Sequence, residues 1–139
     1  MMNLALAAVV QTALFAATPV PATYSEAHRQ MTESGRPIVV LVGADWCPAC
    51  KVMKNTALPQ AQQRGALDKV AFAEVNTDHE GALARELTGG GSIPQLVMFH
   101  KTNSGWQRRV LVGAQSPAAI ATFINQGVGS PGSATLGQN

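Results

Sequence analysis

Cysteine is scarce in this chain: two residues among 139, Cys47 and Cys50, three positions apart. A network of structural disulfides is thereby excluded. So is a zinc site built from two Cys pairs, since about four ligands are needed. His28, His79 and His100 are scattered with no ligand spacing, and no metal or other cofactor is implied. Charge is equally sparse. Ten Lys and Arg face eight Asp and Glu, a net charge of +2, with no run of one sign and no basic stripe interleaved with aromatics. Nothing in that distribution suits nucleic acid or an acidic membrane surface. Gly89, Gly90 and Gly91 fit neither Gly-x-x-x-x-Gly-Lys-Ser/Thr nor Gly-x-Gly-x-x-Gly between strand and helix. They read as a flexible connector rather than a phosphate cradle. No internal repeat is present. What remains is a chain with 46% hydrophobic residues, enough for one core in one domain.

The longest apolar stretch, Leu4 to Ala17, is interrupted only by Gln11 and Thr12. It falls short of the about 20 residues that span a bilayer. Its length suits the apolar region of a secretory signal, and Val20-Pro21-Ala22 offers small residues for cleavage after Ala22. Met1-Met2-Asn3 supplies no Lys or Arg, so an uncleaved anchor or a buried first helix of a cytoplasmic protein are the alternatives. Residues 1–22 are expected to be a signal peptide and the protein periplasmic or secreted, with cytoplasmic as the alternative. An exported chain with no spare thiol has nothing to oxidise wrongly.

From Thr23 the elements follow in order. Thr23-Tyr24-Ser25-Glu26 is a capping-box pattern, predicting a helix to about Ser34 that Gly35 and Pro37 stop. Ile38 to Gly43 is apolar and β-branched, a strand. A helix from Cys47 should end by Leu58, because Pro59 disrupts a helix interior, with a short helix or turn over Gln60 to Lys69. Val70 to Asn76 reads as a second strand, and Glu80 to Leu87 carries Leu83 and Leu87 at helical spacing. Ser92 to Phe99 is a third strand, joined by a Lys101–Gly105 loop to an antiparallel partner over Trp106 to Gly113. Arg108 and Arg109 are most simply edge charges there. Ser116-Pro117 starts a helix that runs to Gln126. The Gly-, Ser- and Pro-rich residues 127–139 read as a loose tail.

Ala44-Asp45-Trp46-Cys47-Pro48-Ala49-Cys50-Lys51 therefore lies where a strand ends and a helix begins. The first sulfur sits beside the unpaired N–H groups and positive pole of the helix, which favours its thiolate. The second, one turn on, can reach back to close a disulfide. Such a pair can attack a foreign disulfide, hold it as a mixed disulfide and release it reduced. The plainer alternatives are an inert disulfide or half of a zinc site.

Trp46-Cys47-x-x-Cys50-Lys51 resembles the active site of the thioredoxin family. The Ala-Asp-Trp-Cys-x-Ala-Cys-Lys version, with Leu58-Pro59-Gln60 after it, looks most like the C-terminal thioredoxin-like domain of the bacterial transmembrane thiol:disulfide interchange reductase. Ile93-Pro94 at the head of a strand is the second piece of the resemblance, which covers about Thr23 to Gln126. It implies the thioredoxin fold, an α/β architecture with a mixed central sheet and helices on both faces, for a domain over residues 23–126. It also implies a cis Pro94 facing the disulfide, Ile93 as the partner of an extended peptide, and Trp46 as a flat wall beside the site. Cys47 would be the nucleophile and Cys50 the resolving thiol. The activity implied is thiol:disulfide oxidoreduction on protein disulfides, fed by an upstream thiol electron donor such as a membrane reductase.

Three departures stand out. Thioredoxins carry a buried Asp on the strand entering the motif and a Lys paired with it on the next strand; the matching positions are Leu41 and Glu74. Glu74 is thus a candidate proton relay under Cys50, on the premise that no cation accompanies it and its pKa is raised. Pro48-Ala49 replaces the Gly-Pro of thioredoxins. Ile before the proline and the reductase-like motif favour a reductant. A disulfide oxidant or isomerase, and a non-catalytic module holding partners at Ile93-Pro94, are the competing readings.

Overall fold

Six consecutive apolar or small residues, Ile38–Gly43, form β1. Ile38, Val39, Val40, Leu41 and Val42 are all buried. A run buried on both faces suits a central strand covered on either side. The computed structural model describes residues 22–129, so the expected signal segment, apart from Ala22, and the tail beyond Gly129 lie outside the described residues. β1 pairs in parallel with β2 (Ala71–Asn76) and antiparallel with β3 (Gln95–Thr102), which pairs antiparallel with β4 (Gly105–Val112). The sheet order is β2-β1-β3-β4.

A parallel pair needs a crossover, here built around helical turns. It comprises α2 (Pro48–Val52), a π-turn (Met53–Ala57) and α3 (Leu58–Gln63). With α5 (Pro117–Val128) this crossover covers one face of the sheet, Met53, Leu58, Ile120 and Ile124 packing on Val39, Leu41, Leu96 and Met98. α1 (Tyr24–Ser34) and α4 (Gly81–Thr88) cover the other, Ala27, Ala84 and Leu87 meeting Ile38, Val40, Val75 and Val97. A mixed sheet with helices on both faces is the architecture the sequence implied.

Local differences have physical reasons. The helix does not end before Pro59. The π-turn, in which the Leu58 N–H donates to the Met53 carbonyl, opens the turn against which the proline ring would press, and Pro59 enters α3 in its first turn. Only half of the capping box forms. Thr23 Oγ1 accepts from the Glu26 N–H at 3.2 Å, while the Glu26 carboxylate turns to Arg29. The hairpin is tighter than expected, Thr102 pairing with Gly105 so that Asn103 and Ser104 alone make the turn. Gly127 and Val128 belong to α5, which runs two residues past its expected end at Gln126. On the edge strand, Arg108 donates to the Leu87 carbonyl at the end of α4, and Arg109 lies 5.3 Å from the Phe123 ring centroid. Both tie helices to the sheet.

Candidate active site

Gly43 ends β1, Ala44 is buried, and Asp45 and Trp46 turn the chain so that Cys47 caps α2. Cys47 keeps an extended backbone, while Pro48, which lacks an N–H to satisfy, occupies the first helical turn. Cys47 and Cys50 form a disulfide, their Cα atoms 5.2 Å apart. The Cys50 backbone N–H donates to the Cys47 sulfur at 3.2 Å. A side chain at this cap position normally offers oxygen to that donor; here sulfur takes it. The two cysteines are almost equally buried, 6% and 4% exposed, so exposure does little to distinguish them. The amide does. An N–H aimed at a sulfur stabilises its anion, and among the described residues Cys47 alone receives one.

Ile93 packs on the disulfide with Ala44 and Ala49, and the Ile93–Pro94 peptide is cis. Pro94 is fully buried and its carbonyl accepts from the Gly113 N–H at 2.8 Å. The exposed contact beside the sulfurs therefore falls to the half-buried Ile93. Trp46 is 67% exposed and so is not packed in the core. Its indole N–H donates to the Asp78 carboxylate at 3.1 Å. Asp78 is not among the residues singled out from the sequence. The spacing Asn76-x-Asp78 was the available signal, since Asn76 Oδ1 accepts from the Asp78 N–H at 2.9 Å and presents the carboxylate.

Glu74 stands opposite Leu41 in register, on the sheet face that carries α2. Its premise needs correction: Glu74 has a cation. Lys54 Nζ lies 2.9 Å from Glu74 Oε2, with the glutamate side chain 25% exposed. The hydrogen bond and charge of Glu74 raise the Lys54 pKa, and Asp45 adds to the effect. Lys54 is four residues after Cys50, so one helical turn brings it over the strand. Glu74, Lys54 and Cys50 all line a cavity of about 560 Å³ between α2 and the end of β2.

An α/β domain with a dithiol–disulfide pair at the mouth of a helix, beside an Ile-Pro segment, defines a thiol-exchange class of protein. Comparison with known proteins agrees. A family model described as thioredoxin-like matches residues 19–101. The thiol:disulfide interchange protein DsbD of Ralstonia nicotianae is 37% identical over 76% of the chain, although the chain spans only 18% of that protein. Thioredoxin 1 of Synechococcus elongatus is 30% identical over 80% of the chain and 95% of its own length. The solution structure of a thioredoxin from Thermus thermophilus, 23% identical, matches with a TM-score of 0.63 over 75% of this chain and 82% of its own, supporting the fold. The chain belongs to the thioredoxin-like family of oxidoreductases, and Cys47 and Cys50 are its C-x-x-C pair.

Proposed function

We propose that the chain reduces disulfides in other proteins. The observation that carries this reading is the Cys50 N–H held on the Cys47 sulfur at the start of α2. In the reduced protein that donor favours the Cys47 thiolate, which attacks a substrate disulfide and expels one substrate thiolate. Cys50 then attacks the Cys47 sulfur, re-forming the internal disulfide and releasing the second substrate thiol. Ile93, whose backbone makes no hydrogen bond among the described residues, is free to pair with an extended substrate segment. Trp46 walls the same mouth. Glu74 lines the cavity that reaches Cys50 and is the half-buried carboxylate available to its proton through water. Replacing Glu74 by Gln should slow mixed-disulfide resolution and leave its formation unchanged; an unchanged resolution rate removes Glu74 from the mechanism.

Each turnover leaves the pair oxidised, so an upstream thiol donor must restore it, and a membrane reductase fits an exported protein. Export rests on the apolar Leu4–Ala17 segment and the small residues before Thr23. Among the described residues no helix is long and apolar enough to cross a membrane. Insulin reduction is the direct test: Cys47→Ser should abolish it, and a Cys50→Ser variant should accumulate mixed disulfides with its substrates. Retained turnover in Cys47→Ser would falsify the assignment. The direction is tested by the reduction potential, since superfamily values run from about −270 mV for reductants to about −120 mV for oxidants.

A further inference from the structure

The connection from β4 to α5 ties the two halves of the redox site together. Gly113 turns the chain with φ at +84°, a conformation that glycine adopts without strain. Its N–H donates to the Pro94 carbonyl at 2.8 Å, one residue past the last ladder pair, Gln95 with Val112. Two residues on, the Gln115 N–H donates to the Met53 thioether sulfur at 3.2 Å. The Gln115 side chain closes this strap over its own base, its amide donating to the Val112 carbonyl at 2.8 Å. Ser116 then caps α5. Gly113, Ala114 and Gln115 therefore run from the Ile93-Pro94 segment to the helical run that carries Cys47 and Cys50.

Met53 is held so that it moves with the motif. It lies three residues after Cys50, the spacing of neighbours on a helix. Its N–H donates to the Ala49 and Cys50 carbonyls, and its own carbonyl accepts from Leu58 in the π-turn. Its side chain is fully buried in the core on that side of the sheet. Any apolar side chain of that volume would fill the same place. The sulfur adds an acceptor, weak but directional. The pairing of β1 with β3 brings the disulfide and Pro94 to one end of the sheet, and Ile93 packs on the cysteines. Apolar contact has no direction, so it leaves the distance from the motif helix to Pro94 open. The strap supplies a set length, with a hydrogen bond at either end.

We propose that Met53 is a positioning residue for substrate docking: its thioether, acting through Gly113 to Gln115, sets the spacing between the Ile93-Pro94 segment and the disulfide. The inference rests on the reading of Ile93 as the partner of an extended substrate segment. A protein substrate pairs with Ile93 while one of its sulfurs meets Cys47, so its binding depends on that spacing. A small disulfide needs Cys47 alone and is indifferent to it. Met53 lies outside the apolar cluster around the sulfurs and acts only through Gln115.

Met53→Leu keeps an apolar side chain of similar volume and removes the acceptor. Insulin KM should rise about threefold to tenfold, the scale of one lost hydrogen bond, while kcat and the rate with hydroxyethyl disulfide hold. An unchanged insulin KM overturns the proposal. So does an equal loss with both substrates, which a disturbed motif helix would cause. The same bond is removed from its other side by an ester oxygen in place of the Gln115 N–H. That variant should raise insulin KM equally and add nothing to Met53→Leu; effects that multiply overturn the proposal. Should Met53→Leu not fold, the ester variant carries the test. Amide hydrogen exchange reads the bond itself: Gln115 should exchange faster in Met53→Leu, and an unchanged rate counts against the strap. Ile93→Glu separates the two failures. If it leaves insulin KM unchanged, the docking reading falls and takes the strap with it; if it raises KM and Met53→Leu does not, the strap alone falls.

Discussion

Trp46 owes its orientation to one side-chain hydrogen bond among the described residues. Its indole is two-thirds exposed, and the Asp78 carboxylate alone holds the ring N–H. Asp78→Ala should therefore leave stability within about 1 kcal/mol, since an exposed hydrogen bond is worth little net. The cost should fall on docking: KM for insulin rises severalfold while kcat holds. An unchanged KM would mean that Trp46 needs no fixing. Glu74 teaches a different lesson at this scale. Its place opposite the position of a family Asp was legible from the sequence, but whether it pointed inward was open. Which face it took followed from its pairing with Leu41, and its partner from the helical turn between Cys50 and Lys54. Neither contact is local in sequence.

Among the elements, the strands and the capped helices were the most legible. Gly35 adopts the left-handed conformation that ends α1, and Ser116 accepts the Ala119 N–H that starts α5. Local chemistry decided both. Where tertiary contact decides, composition misled: Pro59 signalled a stop that the π-turn circumvents, and Gly127 looked like tail. Gly127 instead packs α5 onto β3, and a methyl group there would overlap the thioether of the fully buried Met98. Gly127→Ala thus sets two effects against each other. Helix propensity favours alanine by about 1 kcal/mol. Overpacking costs about 1–3 kcal/mol. Since Met98 is fully buried, its thioether must repack among its neighbours, and net destabilisation is expected, read as a lower urea midpoint with an unchanged slope. A raised midpoint would show that the helix can lift off the strand.

Across the whole molecule, topology followed from element order, because a parallel pair joined by helices and a terminal hairpin leave few arrangements. The burial of single polar groups did not follow. His100, scattered from the other histidines in sequence, is 4% exposed on the β3 face beneath α5, and its Nδ1 has no hydrogen-bond partner among the described residues. A Cβ on Gly127 would stand 3.7 Å from its ring. Burial, and then the charge of Arg109 on β4, lower its pKa from 6.5. The unfolded chain therefore binds a proton more readily than the native state as pH drops below that value. Stability from the neutral ring is fully present above pH 6.5 and is lost as pH falls through the lowered value. Global unfolding in urea at about pH 7.5 and about pH 5 should accordingly show a loss on acidification that His100→Leu reduces. Because Leu also spares the orphaned nitrogen, the informative quantity is the difference in pH slope between variant and wild type, and not their stabilities at one pH. Equal slopes would mean that the helix yields enough water to solvate the imidazolium, and that α5 is docked more loosely than its packing on Met98 implies.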